Sequence, residues 1–397
     1  MVKANKKKKL LWVKKIILIW IVWWFSTQIV SLVADKVLNY SPSFPYADAI
    51  LAKSKLPQWI YSWANFDGVH YLTIADRGYE AADLIQAFFP LFPLVVKGFN
   101  YIINNSLVSG LIIVNLCSLL MLLAFSKLLS LDYKFKDIKW IMIVYLSFCT
   151  SFFFRSFYNE SLFMVFVFFS LFFARKQKYL LAGIIAALAT ATRVIGIFLL
   201  PTLLIELLYQ MYIANKKKIQ LKDLKSKAFL KNITYISISS LGLLLYMVYL
   251  EKNYNDYLYF FHVQQEFGAG RQESLISLPQ VIWRYIKMLA TYKPINLKYY
   301  AIVQEFLTSI LGIFALIFSF KKVRLSYWTF GLLCFILPTL TGTFSSMPRY
   351  ILVCFALFIA TSNLIKQNKI AKLLWFTIMP LLQILNLVLF FQGYWVA

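Results

Sequence analysis

Charged residues are scarce in this sequence. Asp, Glu, Lys and Arg account for 14% of the 397 residues, and 61% of the chain is hydrophobic. A soluble protein of this size carries roughly a quarter charged residues. Apolar runs of about 17–25 residues, long enough to cross a bilayer, instead recur from one end of the chain to the other. The composition excludes a soluble globular protein and predicts an all-α integral membrane protein.

Acidic residues are scarcer than basic residues. There are 16 Asp and Glu against 41 Lys and Arg, a net charge of +25 at pH 7. Of the basic residues, 27 lie in short segments between apolar runs, namely 1–15, 127–139, 175–178, 216–231, 321–324 and 366–372. These segments share one side with the N-terminus, and short basic loops stay in the cytoplasm. The excess charge therefore predicts topology and attraction to anionic lipid headgroups, not nucleic-acid binding.

Cysteine motifs and nucleotide-binding motifs are missing. The four cysteines lie in apolar runs without CxxC spacing, at Cys117, Cys149, Cys334 and Cys354. This placement predicts buried, inert thiols and argues against a disulfide framework. The chain also has no DxD motif, no P-loop and no GxGxxG. These absences argue against a nucleotide-sugar donor bound in the cytoplasm.

What the chain does have is a series of apolar runs, which predict about eleven membrane-spanning helices in one polytopic domain, 1–397. The runs cover 16–34, 107–126, 140–154, 157–174, 179–193, 195–213, 233–250, 300–320, 326–343, 350–365 and 373–391. The first lacks a clear small-residue cleavage site, which favours an uncleaved span over a signal peptide. With the N-terminus in the cytoplasm, the two long loops 35–106 and 251–299 face outside. Aromatic residues at span ends, including Tyr394 and Trp395, are predicted to be interface anchors.

The first outer loop contains a polar stretch, WANFDGVHYLTIADRGY, over residues 63–79. Asp67, His70, Tyr71 and Ile74 follow an i, i+3, i+4, i+7 spacing, so on a helix they share one face. Gly78 lies where such a helix would end with a left-handed residue. The spacing predicts a catalytic helix at the membrane surface, with a plain amphipathic helix carrying a solvated Asp67 as the alternative.

An apolar stretch with two prolines follows this helix. Residues 87–103 contain Pro90 and Pro93. Proline disfavours the interior of a regular span. The stretch therefore predicts a helix lying in the headgroup plane, or a kinked re-entrant helix.

Ionisable residues near the membrane collect at the predicted outer ends of the spans. They are Asp67, Arg155, Glu160, Arg193 and Arg349, and such residues are functional candidates by default. Their position on one side favours an enzyme acting on a lipid-linked substrate from outside. A lipid or polymer flippase or transporter is the alternative, although it would favour polar groups near the midplane of several spans. A non-catalytic subunit of a transferase complex is a third interpretation.

Five stretches in the same order resemble the PIG-V family of mannosyltransferases, members of the GT-C superfamily. They are FDGVHYLTIADRGY (66–79), AFFPLFPL (87–94), FYNESLFMVFVFF (157–169), ALATATRVIGIFLLP (187–201) and MPRYILVCFALF (347–358). The resemblance covers about residues 60–360, and the first-loop block is the specific part. One departure is that Val194 and Ile195 stand where the family often has a small polar pair.

The resemblance implies a GT-C-type bundle and an inverting glycosyltransferase. Such enzymes move a sugar, here mannose or another hexose, from a polyprenyl phosphate to an acceptor hydroxyl. The hydroxyl needs a general base, and Asp67 matches that position. Arg193 and Arg349 suit the phosphate, because a guanidinium binds phosphate with a planar fork.

The other candidate substrate-binding residues are His70, Tyr71, Glu160 and Arg271. Arg271 follows the flexible Gly-Ala-Gly of 268–270 in the long outer loop, where it could contact a phosphate. Each candidate has a plainer alternative. Arg193 and Glu160 would neutralise each other, Arg349 would snorkel at a span entrance, and His70 would only occupy the helix face. Arg155 is predicted to be an ordinary interfacial residue.

No cofactor is required by this chemistry. Asp67 has few acidic neighbours in sequence to complete an oxygen cage, so we predict no metal ligands and leave dependence on a divalent ion open. The predicted partners are a polyprenyl-phosphate-linked sugar, a lipid- or polymer-linked acceptor and the membrane itself. The predicted location is a bacterial cell membrane with the active site on its outer face.

Overall fold

The structure, a computed structural model, describes residues 2–266, 271–272, 274–294 and 297–396, and within them the chain is all-helical, as predicted. Its α-helices are α1 (Val2–Val37), α2 (Gln58–Tyr61), α3 (Asp67–Arg77), α4 (Leu91–Ile103), α5 (Ser106–Leu129), α6 (Phe135–Leu146), α7 (Glu160–Arg175), α8 (Tyr179–Thr192), α9 (Leu199–Ala214), α10 (Leu221–Leu224), α11 (Lys227–Ser237), α12 (Leu241–Tyr254), α13 (Tyr259–His262), α14 (Leu278–Thr291), α15 (Leu297–Ser319), α16 (Leu325–Thr339), α17 (Met347–Tyr350), α18 (Phe355–Gln367) and α19 (Lys369–Phe391). The residues 268–270 that precede Arg271 lie outside the described part of the chain.

Six helical segments of the described chain are long and apolar enough to cross a membrane. They are Leu11–Val37, Ser106–Leu129, Val194–Ala214, Lys227–Tyr254, Leu297–Ser319 and Lys369–Phe391. A seventh is added if Met347–Val353 and Phe355–Gln367, which meet at an 88° bend, form one broken span. A multi-pass membrane protein fits this architecture, but the expected count of about eleven is not confirmed.

The remaining predicted spans correspond to helices that are too short. Helices α6, α7, α8 and α16 contain 12, 16, 14 and 15 residues, whereas a span needs about 20. Helix α6 ends at Leu146 and α7 begins only at Glu160, and between them the chain runs through a buried irregular segment. Helix α8 ends at Thr192 because Arg193 adopts an extended conformation. Irregular backbone at membrane depth is tolerated where it is buried in protein.

The prolines of the first outer loop start a helix and do not kink one. Pro90 is the N-cap of α4 and Pro93 lies in its first turn, where the missing N–H has no intrahelical partner. The 13-residue α4 ends at Ile103, with Asn104 as its C-cap, and packs against α3 and α5. The prolines therefore do not kink α4, and this short helix packs against α3, the predicted catalytic helix.

Helix α8 packs so closely on its neighbours that two glycines are required. A Cβ on Gly183 would lie 2.0 Å from the carbonyl oxygen of Tyr235, and a Cβ on Gly242 would lie 2.1 Å from that of Ala187. Real Cβ atoms do not approach backbone so closely, so α11 and α12 touch α8 through backbone atoms. These backbone contacts fix the position of α8, the helix that ends next to Arg193.

Arg155 is buried inside the protein. The prediction that it is an ordinary interfacial residue is therefore wrong. Its side chain is enclosed by two indole rings, with the guanidinium carbon 4.6 Å from the ring of Trp24 and 4.2 Å from that of Trp63. It donates to the Trp24 carbonyl, to Thr27 and to Gln28, each at 2.7 Å. Because these partners lie on α1, Arg155 fastens the segment between α6 and α7 to the first helix.

An ion cluster around the buried Glu206 joins helices at the predicted cytoplasmic ends. Arg324 donates two hydrogen bonds of 2.7 Å to Glu206, and Ser326 donates a third. Arg175, 3.6 Å from Glu206, also pairs with Asp132 at 2.6 Å. Every charge in this cluster has a partner, which identifies it as a structural link between α7, α9 and the start of α16.

Candidate active site

Five of the seven predicted site residues line one cavity of about 300 Å³. These five are Asp67, Tyr71, Arg193, Arg271 and Arg349. They come from four separate parts of the chain, which the breaks between helices bring together. Of the described residues that line the cavity, Asp67 is the one carboxylate. The polar side chains therefore converge on a single acid, as catalysis by a lone general base requires.

Asp67 is the first residue of α3, directly after a strained backbone position. Phe66 has φ 58° and ψ −119°, a region that costs a non-glycine residue of the order of 1–3 kcal/mol. The hydroxyl of Tyr158 accepts from the Asp67 amide at 3.2 Å and donates to the Asn65 carbonyl at 2.9 Å. The Asn65 side-chain amide donates to the carbonyl of Phe390 at 2.7 Å. These contacts determine where the Asp67 carboxylate points.

Two carboxylates and two guanidinium groups alternate in a chain of charges at the cavity. Arg349 donates from Nη1 to Asp67 Oδ2 at 2.6 Å, and its Nε lies 3.4 Å from Glu160. Arg193 donates from Nη1 to the same Glu160 Oε1 at 2.8 Å. The Glu160 side chain is 1% exposed, whereas that of Asp67 is 26% exposed. Glu160 is thus a buried counterion behind the two arginines, and Asp67 is the acid that meets the cavity.

The charges beside Asp67 decide its ionisation. Burial alone would raise the pKa of Asp67, but the charge and hydrogen bond of Arg349, with smaller contributions from His70 and Arg271, lower it overall. The carboxylate is therefore ionised at neutral pH. An ionised acid can accept a proton, although its pairing with Arg349 makes it a weak base in the resting site.

Arg271 has no carboxylate among its described partners. Nη1 donates to Gln264 at 2.7 Å and Nη2 to the hydroxyl of Tyr350 at 3.2 Å. Three guanidinium groups thus line the cavity, and Asp67 is the one carboxylate among its described lining residues. A cavity lined mainly by positive charge attracts an anionic ligand.

His70 and Tyr71 have different positions on α3. His70 stacks on the ring of Phe88 with centroids 5.0 Å apart, and burial lowers its pKa although Asp67 acts against that. It is absent from the described cavity lining, so it borders the site without facing it. Tyr71 lines the cavity and contacts Phe88 and Phe92 edge to face. Only Tyr71 of the pair is placed to touch a bound molecule.

The cavity lining also has apolar residues. They include Val194, Ile195, Phe260, Leu337 and Pro338. Val194 and Ile195 place hydrophobic side chains at the cavity directly after Arg193. A molecule with an anionic group and a hydrocarbon chain matches both parts of the lining.

Four residues that sequence reasoning did not assign to the site contribute to it. Tyr350 places its ring 5.3 Å from the guanidinium of Arg349 and 5.8 Å from that of Arg193, and it follows Arg349 in sequence. Asn159 donates to the Thr192 carbonyl at 2.8 Å and thereby joins α7 to α8. Trp395, predicted as an interface anchor, lines the cavity, and Glu305 lies behind it with 4% exposure. Neither Trp395 nor Glu305 has a local motif that would have revealed it.

Among the described residues, no group of three or more His, Cys, Asp and Glu side chains could hold a metal ion. The four cysteines are buried free thiols, as predicted. Among the described lining residues, the side chains that can bind an anionic group through their charge are the arginines, and their chemistry suits an oxyanion.

Comparison of the chain with models of known protein families and with curated proteins finds no match.

Proposed function

We propose that the protein is an inverting glycosyltransferase that moves a hexose, such as mannose, from a polyprenyl-phosphate donor to an acceptor hydroxyl. The observation that carries the proposal is the cavity lined by one carboxylate, Asp67, by apolar residues and by three guanidinium groups. The arginines match the donor phosphate, and the apolar residues match its lipid chain. The resemblance of five stretches to the PIG-V family supports the same reaction.

The proposed reaction needs one base and no acid. The acceptor hydroxyl gives its proton to the Asp67 carboxylate while its oxygen forms a bond to C1 of the sugar. The bond between C1 and the phosphate oxygen breaks, and its electron pair leaves on the polyprenyl phosphate. Arg349, Arg193 and Arg271 stabilise the negative charge that develops there. No second carboxylate is needed to protonate the leaving group, unlike in glycoside hydrolysis.

The Asp67–Arg349 pair supports an order of events. In the resting site Arg349 shares its charge between Asp67 and Glu160, at 2.6 and 3.4 Å. A donor phosphate at the arginines competes for that charge and weakens the hold of Arg349 on Asp67. The base thereby becomes stronger once the donor is bound. The site on the outer membrane face, and a bacterial cell membrane as its location, are part of the same proposal.

The decisive experiment is transfer by purified protein. A panel of polyprenyl-phosphate sugars is incubated with the protein in detergent, and release of polyprenyl phosphate and glycosylation of added acceptors are measured. A general base contributes about 10²–10⁴-fold to rate, so Asp67→Asn should reduce kcat by about that factor. Because the substitution removes a negative charge from the site, the KM for donor should stay unchanged or fall.

Asp76→Asn is the matched control, because Asp76 is an exposed acid on the same helix. It should leave both constants near those of the wild type. Asp67→Glu moves the carboxylate by one methylene and should be impaired but measurable, since a shift of about 1 Å can cost 10²-fold. Near-normal transfer by Asp67→Asn would contradict the proposal, as would a loss of donor binding equal to the loss of rate. A flippase would instead move labelled lipid across a vesicle membrane without transferring sugar.

A further inference from the structure

Glu305 on α15 is a buried carboxylate that the proposed reaction does not use. Its Oε2 accepts from the Tyr285 hydroxyl at 2.6 Å, and its Oε1 accepts from the Ser346 amide at 3.3 Å and from the Trp395 indole at 3.4 Å. No Lys, Arg or His of the described chain lies within ion-pair distance of it. Ionisable groups are costly at membrane depth and are retained for a function. The donors around Glu305 are all parts of the cavity wall or its support.

Trp395 is a cavity residue that contacts Glu305. The indole lines the cavity, and its ring centroid is 5.6 Å from that of Phe66 at an angle of 79°. Phe66 is the residue directly before Asp67. In an edge-to-face contact, at least one face of the indole stays clear of the other ring. Trp395 is therefore a flat apolar surface within reach of anything bound at Asp67.

The segment that carries Trp395 is firmly attached. Gln304 donates to the Val396 carbonyl at 3.0 Å, and the Ser43 amide donates to the Gly393 carbonyl at 2.9 Å. Gly393 has φ 82°, and a Cβ there would lie 2.5 Å from Pro42, so only glycine allows this path. Hydrogen bonds to Gly393 and Val396, which precede and follow Trp395 in the chain, hold the indole in a constant position. A binding surface requires such a fixed position.

Other aromatic rings at the cavity already have partners. Phe88 is covered by His70 and meets Tyr71 edge to face. Tyr350 lies between the guanidinium groups of Arg193 and Arg349. Trp395 differs from them because it offers a broad ring beside Asp67 without a stacked ring or a guanidinium above it among the described contacts.

We propose that Trp395 is the binding surface for the pyranose ring of the sugar. A hexopyranose presents a face of C–H bonds, and such a face packs favourably on the electron-rich face of an aromatic ring. The sugar would then lie between Trp395 and Asp67, with its phosphate toward Arg349 and Arg271. This inference rests on the proposed function, because it names the sugar subsite of the same cavity.

The test separates affinity for the sugar from affinity for the phosphate. Binding of mannose 1-phosphate and of inorganic phosphate to purified protein is measured by calorimetry, in a detergent without a sugar headgroup. Wild-type protein should prefer the sugar phosphate. Trp395→Leu should reduce this preference about three- to tenfold and leave the affinity for inorganic phosphate unchanged. Trp283→Leu is the control, because Trp283 is 56% exposed on α14 and does not line the cavity.

Two further results decide the role of the ring. Trp395→Phe keeps an aromatic face but cannot donate to Glu305, and should retain most of the preference. A Trp395→Leu protein with the wild-type preference would overturn the proposal. So would a Trp395→Phe protein that loses as much as Trp395→Leu, since the N–H and not the face would then matter.

Fluorescence provides a reading that does not depend on the leucine variant folding. Mannose 1-phosphate should change the tryptophan emission of wild-type protein and of Trp283→Phe, but not that of Trp395→Phe. A change that persists in Trp395→Phe would overturn the inference. Failure of the proposed function is distinct, because protein that binds the sugar phosphate through Trp395 but transfers no sugar would leave this subsite standing.

Discussion

The ionic contacts of Asp67 give the residue a defined response to pH. Arg349 is the main group that lowers its pKa, against burial that raises it. A carboxylate whose pKa is lower in the folded protein stabilises the fold above its unfolded pKa of about 3.9. That stabilisation is lost as the pH falls through the lower, folded pKa. We therefore expect the Asp67–Arg349 pair to stabilise the fold, whereas a solvated loop carboxylate would contribute little to stability.

The first prediction concerns the acid limb of activity. In wild-type protein, kcat/KM for the donor should stay constant with falling pH until below the usual range of an aspartate. Arg349→Gln removes the charge and the hydrogen bond that lower the pKa of Asp67, so its acid limb should move to higher pH. The measurement is kcat/KM against pH for both proteins. If the acid limbs of the two pH profiles coincide, Arg349 does not control the ionisation that activity requires.

The second prediction separates the arginines. Arg271 has no described carboxylate partner, so Arg271→Gln should weaken donor binding by about ten- to a hundredfold, the range of a hydrogen bond to a charged group. Arg193→Lys keeps the charge next to Glu160 but loses the planar fork, and should reduce kcat more than it raises KM. Steady-state kinetics with a single donor distinguish the two patterns. Equal effects of both variants on KM would contradict this division of roles.

At the scale of helices, short elements determine where the site lies. Helix α6 ends before the segment 147–159, α7 begins after it, and α8 ends at Arg193. The 88° bend after Val353 sets α17 against α18. Each break puts polar side chains at a helix end instead of on a helix face. The polar residues of the cavity therefore come from the breaks between helices, and regular helices surround it.

The third prediction concerns the packing of α8. Gly242→Ala places a Cβ against the backbone of α8, at 2.1 Å from the Ala187 carbonyl. The helices must separate, so the apparent melting temperature and transfer should both fall. Gly98→Ala is the control, because nothing lies within 4 Å of its Cβ. In that exposed helical position alanine should stabilise by up to about 1 kcal/mol. A Gly242→Ala protein as stable as the wild type would show that α8 and α12 are not in backbone contact.

Helix positions could be predicted from the sequence, but the site could be predicted only in part. The expected run 179–193 became α8, Tyr179–Thr192, and 107–126 became α5, because hydropathy is a local property. Asp67 and Arg349 were separately visible as charges in apolar surroundings. Their pairing across 282 residues was not, since it depends on the path of the breaks between helices. Trp395 looks in sequence like any aromatic residue at a span end.

At the scale of the molecule, the two clusters of paired charged side chains lie near different sets of loops. Asp67, Arg349, Glu160 and Arg193 join the loops predicted to be outside, and Glu206 with Arg324 joins those predicted to be inside. The inner cluster is fully paired within itself, whereas the outer cluster faces a cavity. The outer cluster therefore borders the candidate site, and the inner cluster links helices.

The fourth prediction tests this orientation. The native cysteines are buried, so an impermeant thiol reagent should label only introduced cysteines. In sealed right-side-out vesicles, Glu80→Cys and Trp283→Cys should react, and Lys217→Cys and Lys322→Cys should react only after the membrane is opened. All four positions are exposed on the protein surface, so access depends on the membrane alone. Labelling of Lys217→Cys in sealed vesicles would reverse the orientation and with it the outer-face site.

The three guanidinium groups at the cavity have a consequence for turnover in the proposed reaction. A polyprenyl-phosphate sugar is a phosphodiester with one negative charge, whereas the polyprenyl phosphate left after transfer is a monoester with about −1.5 to −2 at neutral pH. Three arginines at one cavity would attract the monoester more strongly than the diester. The spent carrier lipid would leave slowly, so a rapid first round of transfer would be followed by a slower steady rate set by its departure. In the proposed reaction, the positive charge that favours donor binding would thus also make the spent lipid an inhibitor of the next cycle.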